Sequence, residues 1–226
     1  MNQHKKKTSA STTSHRHANH QVRIIGGEWK RTPLTVIGGD GLRPTPDRVR
    51  ETVFNWINHL IDGNWANLRC LDLFAGSGAL GFEAASRGAA SVLMCEAYTP
   101  AYTQLLQSKD KLKAAQIDLK RGDALIYSKN LIANKEKFGL IFLDPPFNQG
   151  FLEKILPLCE NLLEEEGLLY VESEQALDLQ SKGDNPENST SWSGAWEVIR
   201  QDKAGQVYFH LLQRNRKQGQ VTENLG

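Results

Sequence analysis

Cysteine is scarce: three residues in a chain of 226, Cys70, Cys95 and Cys159, far apart and each among apolar neighbours. No Cys-x-x-Cys pair occurs, which argues against a metal or disulfide framework and for buried, reduced thiols. Long apolar runs are missing too. Nothing approaches the roughly 18–20 consecutive apolar residues of a membrane span, and there is no secretory h-region. A cytoplasmic protein without metal or membrane partner is expected. Net charge is nearly absent at +1, but it is divided: residues 1–50 hold ten Lys/Arg against three Asp/Glu, the remainder 17 against 23. A basic end on a mildly acidic body suits an anionic partner, most simply nucleic acid, or a solvated tail. The rest is ordinary, 39% hydrophobic and 23% charged, and long enough for one sizeable core.

Residues 1–20 carry Lys5–Lys7, four of the six histidines and many Ser/Thr, with little to bury, and read as a disordered basic tail. Val22–Ile25 and Leu34–Ile37 read as short strands around a tip bearing Trp29, Lys30 and Arg31. One ring and two cations suit splayed or single-stranded RNA; a plain exposed basic turn would look alike. Thr45 is expected to cap a helix, with Pro46 at its first position and Asp47 in its first turn. Val49, Val53, Phe54, Trp56, Ile57 and Leu60 give that helix an apolar side. Arg43, Arg48, Arg50 and Glu51 cluster near its start, where Arg48 and Glu51 either pair at i, i+3 or shape a pocket mouth.

From residue 63 strand and helix signals alternate. Strands are expected at 69–74, 91–96, 117–121, 140–143 and 168–172, and helices at 79–87, 99–114, 124–133 and 152–163. Residues 180–195 read as a loop, with 196–200 and 206–213 as a closing antiparallel hairpin. This pattern predicts an α/β fold with a doubly wound, mostly parallel, seven-stranded sheet. The expected organisation is a tail (1–20), an N-terminal hairpin-and-helix extension (21–62), the α/β domain (63–214) and a frayed end (215–226).

Open α/β sheets bind ligands beyond the carboxyl ends of their strands. There the sequence puts Asp72, Gly76 and Gly78, then Glu96, then Asp123, then Asp144-Pro-Pro-Phe147. Gly76-x-Gly78-x-x-Gly81, with Glu96 downstream, formally matches a dinucleotide fingerprint. Asp72 stands against that match, because a carboxylate just before the turn repels a pyrophosphate. A cationic ligand without phosphates fits better. S-adenosylmethionine has an α-ammonium and a sulfonium, a ribose for Glu96 and an adenine edge for Asp123. In the second motif the Asp144 carboxylate and Pro145 carbonyl can accept the hydrogens of an exocyclic amine. The prolines stiffen the loop, and Phe147 can stack on a base taken out of its helix.

These residues resemble the class I S-adenosylmethionine-dependent methyltransferases, which are Rossmann-like, and within them the amino-methyltransferases with (Asp/Asn)-Pro-Pro-(Phe/Tyr/Trp). Arg23-Ile-Ile-Gly-Gly-Glu-Trp-Lys30, the stretch Leu42–Trp56, Phe74-Ala-Gly-Ser-Gly-Ala-Leu-Gly81 and Ala204-Gly-Gln-Val-Tyr208 are similar to the RsmD family over roughly residues 22–214. The resemblance implies methylation of the exocyclic N2 of one guanine in 16S ribosomal RNA, with an assembled or late-assembling 30S particle as substrate. It places Asp72, Phe74, Gly76 and Gly78 at the methionine end of the cofactor, Glu96 on the ribose and Asp123 on the adenine. Asp144, Pro145 and Phe147 would hold the guanine, and Arg23, Trp29, Lys30, Arg31, Arg43, Arg48 and Arg50 would face RNA. Tyr98 departs from the small polar or acidic residue common after the ribose-binding acid. A monomer is expected. An adenine-N6 DNA methyltransferase and a catalytically silent assembly factor are the competing readings.

Overall fold

The computed structural model describes residues 21–37, 45–177 and 193–215. The expected tail, Arg43, most of the expected 180–195 loop and nearly all of the expected frayed end lie outside them. Two short antiparallel strands, β1 (Gln21–Arg23) and β2 (Pro33–Thr35), are followed by α1 (Asp47–Leu60). The α/β alternation then runs β3 (Arg69–Asp72), α2 (Ala79–Ser86), β4 (Ser91–Glu96), α3 (Thr99–Leu112), β5 (Ile117–Arg121), α4 (Ala124–Ala133), β6 (Phe138–Leu143), α5 (Phe151–Leu162) and β7 (Leu163–Ser173). A hairpin of β8 (Trp196–Ala204) and β9 (Val207–Arg214) closes it.

The main sheet has seven strands in the order β5-β4-β3-β6-β7-β9-β8. Pairing is parallel from β5 to β7, and β9 runs antiparallel to both β7 and β8. This is the doubly wound, mostly parallel architecture expected from the alternation. The central strands are covered on both faces and therefore read as unbroken apolar runs; all of β6 is buried. One face packs on α1, α2 and α3 through residues such as Phe54, Phe82 and Leu105, the other on α4 and α5 through Leu131 and Ile155. All three cysteines are buried and free, and burial pushes the Cys95 thiol up to about 12. No helix among the described residues is long and apolar enough to cross a membrane.

Every residue of α2 is buried, so this helix needs cover on its outer side as well as from the sheet. The N-terminal hairpin supplies it. Glu83 accepts hydrogen bonds from the amides of Ile25 at 2.6 Å and Gly26 at 2.8 Å, and pairs with Arg87 at 2.8 Å. The Ser86 hydroxyl donates to the Gly26 carbonyl and accepts from the Trp29 amide. Gly27 has φ +74°, and a Cβ there would lie 1.8 Å from the Ser86 carbonyl oxygen, so glycine is required for this contact.

The start of α1 departs from expectation. Its N-cap is Pro46, whose extended backbone precedes Asp47, and no side chain among the described residues caps the helix. The Thr45 hydroxyl is engaged elsewhere, with two carboxylates of the sheet rim.

Candidate active site at the carboxyl ends of β3 and β6

The strand order reverses at β3, which lies between β4 and β6, and that switch point opens a crevice at its carboxyl end. There Ala75 N bonds Cys95 O at 3.0 Å, Gly78 N bonds Ala75 O at 2.6 Å, and α2 begins. Gly76 and Gly78 have φ of +51° and +80°. A Cβ on Gly78 would strike the Phe82 ring at 2.5 Å, whereas one on Gly76 would meet nothing among the described residues nearer than 3.9 Å. The Gly76 backbone therefore faces open space. A cavity of about 70 Å³ lies against it, lined by Val36, Thr45, Phe74, Ala75, Gly76 and Asp144 among others.

Asp72, 1% exposed, sits beneath the turn. Its Oδ2 accepts from Gly81 N at 3.2 Å, while Oδ1 has no partner among the described residues. Burial pushes this carboxyl up to about 7, against hydrogen bonds from the Phe74 and Gly81 backbone that pull it down, with Glu96 adding to the rise. Glu96 links the turn to the loop after β4: Oε2 accepts from Gly76 N at 2.7 Å and Oε1 from Tyr98 N at 2.6 Å. Each oxygen retains a lone pair for a hydroxyl donor. Asp123 caps α4 through Ile126 N at 3.0 Å and is otherwise exposed. Tyr98, Ile126 and Phe147, three of the five exposed large hydrophobic side chains among the described residues, stand at this rim. The residues fit S-adenosylmethionine: a buried acid with an unused oxygen for a cation, a second acid for hydroxyls, and exposed apolar surface for a flat ring.

After β6 the chain turns through Asp144, half-buried, and Pro145, buried, to the exposed Pro146 and Phe147. Beyond them a cleft of about 320 Å³ is lined by Pro145, Phe147, Phe151, Glu172, Glu174 and Leu177 among others. The Thr45 hydroxyl lies 3.4 Å from Asp144 Oδ2 and 2.6 Å from Glu172 Oε1. Glu172 Oε1 also accepts from the Tyr170 hydroxyl at 2.9 Å. Burial, then the neighbouring charges of Glu172 and Asp72, hold Asp144 well above the usual carboxylate range, with the Thr45 hydroxyl opposing. Glu172 is raised by burial and eased by Thr45, Tyr170 and Arg50. Sequence reading missed Thr45 and Glu172 at this site. The strand-end rule that found four acids, extended to β7, would have found Glu172.

Of the residues expected to face RNA, Lys30, Arg31 and Arg48 are exposed and carry no ion pair among the described residues. Arg23 is exposed but bonded to Asp47 at 2.7 Å. Trp29 is half-buried and packs against the core, so only part of its ring is open. Arg50 corrects the expectation outright. It is 0% exposed and donates to the Arg23 and Thr45 carbonyls and to Asp47, which removes it from any RNA contact. The i, i+3 pair near the start of α1 is Asp47 with Arg50 at 2.6 Å, rather than Arg48 with Glu51. Arg43 lies outside the described residues.

The comparisons with known proteins agree with this geometry. The family described as Conserved hypothetical protein 95 matches residues 22–213. Ribosomal RNA small subunit methyltransferase D of Escherichia coli (strain K12) is 40% identical over 196 residues, 86% of this chain and 90% of the relative. The Haemophilus influenzae protein of that name is 38% identical over 200 residues, covering 87% and 95%. A solved Escherichia coli structure is 39% identical, with a TM-score of 0.68, over 87% of this chain and 99% of its own. The seven-stranded order, the glycine turn above Asp72, Asp144-Pro-Pro-Phe147 and matches that span nearly all described residues have one explanation: the chain belongs to the RsmD family of class I methyltransferases.

Proposed function

We propose that this chain methylates the exocyclic N2 of one guanine of 16S ribosomal RNA, acting as a monomer on an assembled or late-assembling 30S particle. The observation that carries the reading is the small cavity on which the glycine turn and Asp144 both open, so a methyl donor and an amine meet there. The relatives' name, ribosomal RNA small subunit methyltransferase, supports the substrate class. S-adenosylmethionine, when bound, supplies an electrophilic methyl group on a sulfonium. Asp72 receives its ammonium, Phe74, Gly76 and Gly78 line its methionine end, Glu96 takes the ribose hydroxyls, and Asp123 the adenine edge.

The lone pair of an aryl amine is delocalised into its ring and attacks poorly. Asp144 and the Pro145 carbonyl accept the amine's hydrogens, favouring the geometry in which nitrogen can attack. Pro145 and Pro146 hold those acceptors in place, and Phe147, 37% exposed, offers its face to the guanine. The tip of the β1–β2 hairpin presents Lys30 and Arg31, and α1 presents Arg48, to phosphates.

The test supplies labelled S-adenosylmethionine and 30S particles from cells lacking the enzyme, then digests the RNA and identifies the labelled nucleoside. N2-methylguanosine at one site is expected. Label in N6-methyladenine, or only with DNA present, would move the chain to an adenine methyltransferase. Cofactor binding without transfer would make it a silent assembly factor.

A further inference from the structure

Behind Asp144 stands a second carboxylate. Glu172, near the end of β7, is 3% exposed yet lines the same cleft as Pro145 and Phe147. Its Oε1 takes hydrogen bonds from the Thr45 and Tyr170 hydroxyls, and the Thr45 oxygen also touches Asp144 Oδ2, so one hydroxyl joins the two acids. Thr45 has a single hydrogen to give. Donated to Glu172 at 2.6 Å, it leaves lone pairs at 3.4 Å from Asp144, which suits an Asp144 that carries a proton. The groups around the pair tilt it the same way. Arg50 from α1 and both hydroxyls favour charge on Glu172, while Glu172 itself and Asp72 from β3 oppose charge on Asp144. Two such carboxylates share one proton rather than ionising separately.

We propose that Glu172 is a positioning residue for methyl transfer: joined to Asp144 through the Thr45 hydroxyl, it sets how strongly Asp144 takes up the proton that the substrate amine gives up. This rests on the function proposed above. Transfer exchanges one N–H of the amine for N–CH3. The nitrogen lone pair forms the N–C bond, the electron pair of the broken C–S bond stays on sulfur, and the nitrogen's surplus proton passes to an oxygen of ionised Asp144. From there it goes to water after the product leaves. An aspartate alone in water is a weak base for this task. Glu172 beside it makes it a stronger one.

Glu172→Gln keeps the size and an acceptor for both hydroxyls but removes the charge. At saturating cofactor, where the titration of Asp72 in the free enzyme drops out of kcat, the acid limb of the kcat–pH profile moves down by about one pH unit. The plateau falls as well, and KM for the particle holds. Thr45→Val removes the hydroxyl that joins the two acids and shifts the limb, and Thr45→Ser restores it. A merely structural role lowers activity at every pH and moves neither limb; a Glu172→Gln limb that stays or rises overturns the proposal. Carboxyl carbon NMR of the cofactor-free enzyme reads the pair without turnover: Asp144 titrates above the usual range in the parent and falls toward it in Glu172→Gln. If the parent makes no N2-methylguanosine but that fall is seen, the functional reading fails and the pair stands. Product without the fall overturns the pair alone.

Discussion

Glu83→Ala should loosen the N-terminal hairpin from α2, and the size of the effect can be worked out. Glu83 is fully buried and holds three donors, the amides of Ile25 and Gly26 and Nε of Arg87, at 2.6, 2.8 and 2.8 Å. Alanine leaves all three without an acceptor. Removing one partner of a buried ion pair costs about 3–5 kcal/mol, and each hydrogen bond to a charged group contributes about 1.5–3 kcal/mol. These costs overlap, and two features soften them. The Arg87 side chain is 16% exposed, and its guanidinium lies 5.0 Å from the Phe54 ring centroid, a contact the variant keeps. The lower end applies, about 3 kcal/mol in all. For a chain of this size that corresponds to a fall in Tm of about 6–12 °C. Melting followed by circular dichroism measures it, with Glu83→Gln, which keeps one acceptor, falling between the variant and the parent. Hydrogen exchange should show the Ile25 and Gly26 amides opening faster while those of β3 and β6 hold. A fall in Tm below about 2 °C would refute the reasoning, since the clamp would then contribute no more than a surface contact.

Asp144→Ala should abolish transfer and leave cofactor affinity nearly intact in a calorimetric titration; equal loss of both would sink its role at the amine. Lys30→Ala combined with Arg31→Ala should weaken particle binding and lower the slope of log K against log salt by roughly two, one per phosphate contact. An unchanged slope would put the RNA elsewhere. Asp72 is raised from 3.8 to about 7, so the folded state favours its protonated form. Its stabilising contribution is full below about 3.8 and lost as pH rises through about 7. Asp72→Asn should therefore gain Tm over the parent at pH 8 relative to pH 5, without cofactor, while cofactor affinity drops; equal Tm differences at the two pH values would refute the assignment.

The parallel sheet was legible because its strands are short apolar runs bounded by glycine turns and amphipathic helices. The rim acids were legible because a carboxylate just past a buried strand is rarely there for packing. Boundaries slipped where tertiary contacts override local signals. Leu163–Gly167 extends β7 through Glu164, Glu165 and Glu166, an exposed charged run that no strand pattern reveals, lying at a register shift against β6 between Phe138 and Leu140. Thr45 was read as a helix cap from its neighbours alone, and the competing acceptors are 99 and 127 residues away. Arg50 belonged to an arginine cluster whose members look alike in sequence. Only the fold separates the buried one from the exposed Arg48.

That buried arginine explains how the two acids can be enclosed together. Burying Arg50 costs several kcal/mol of hydration unless opposite charge and hydrogen bonds repay it. Part of the return is local, from Asp47 at 2.6 Å and the carbonyls of Arg23 and Thr45. Nη1 has no partner among the described residues, yet the guanidinium acts electrostatically on both Glu172 and Tyr170. Sharing one proton leaves the two acids a single negative charge within reach of Arg50, whereas ionising both would double that charge with little water to screen it. The segment that carries the exposed cations thus also supplies the countercharge for the carboxylate pair. Arg50 bonds the backbone at Arg23 on one side and at Thr45 on the other, so it ties β1 to the residue that joins Asp144 to Glu172.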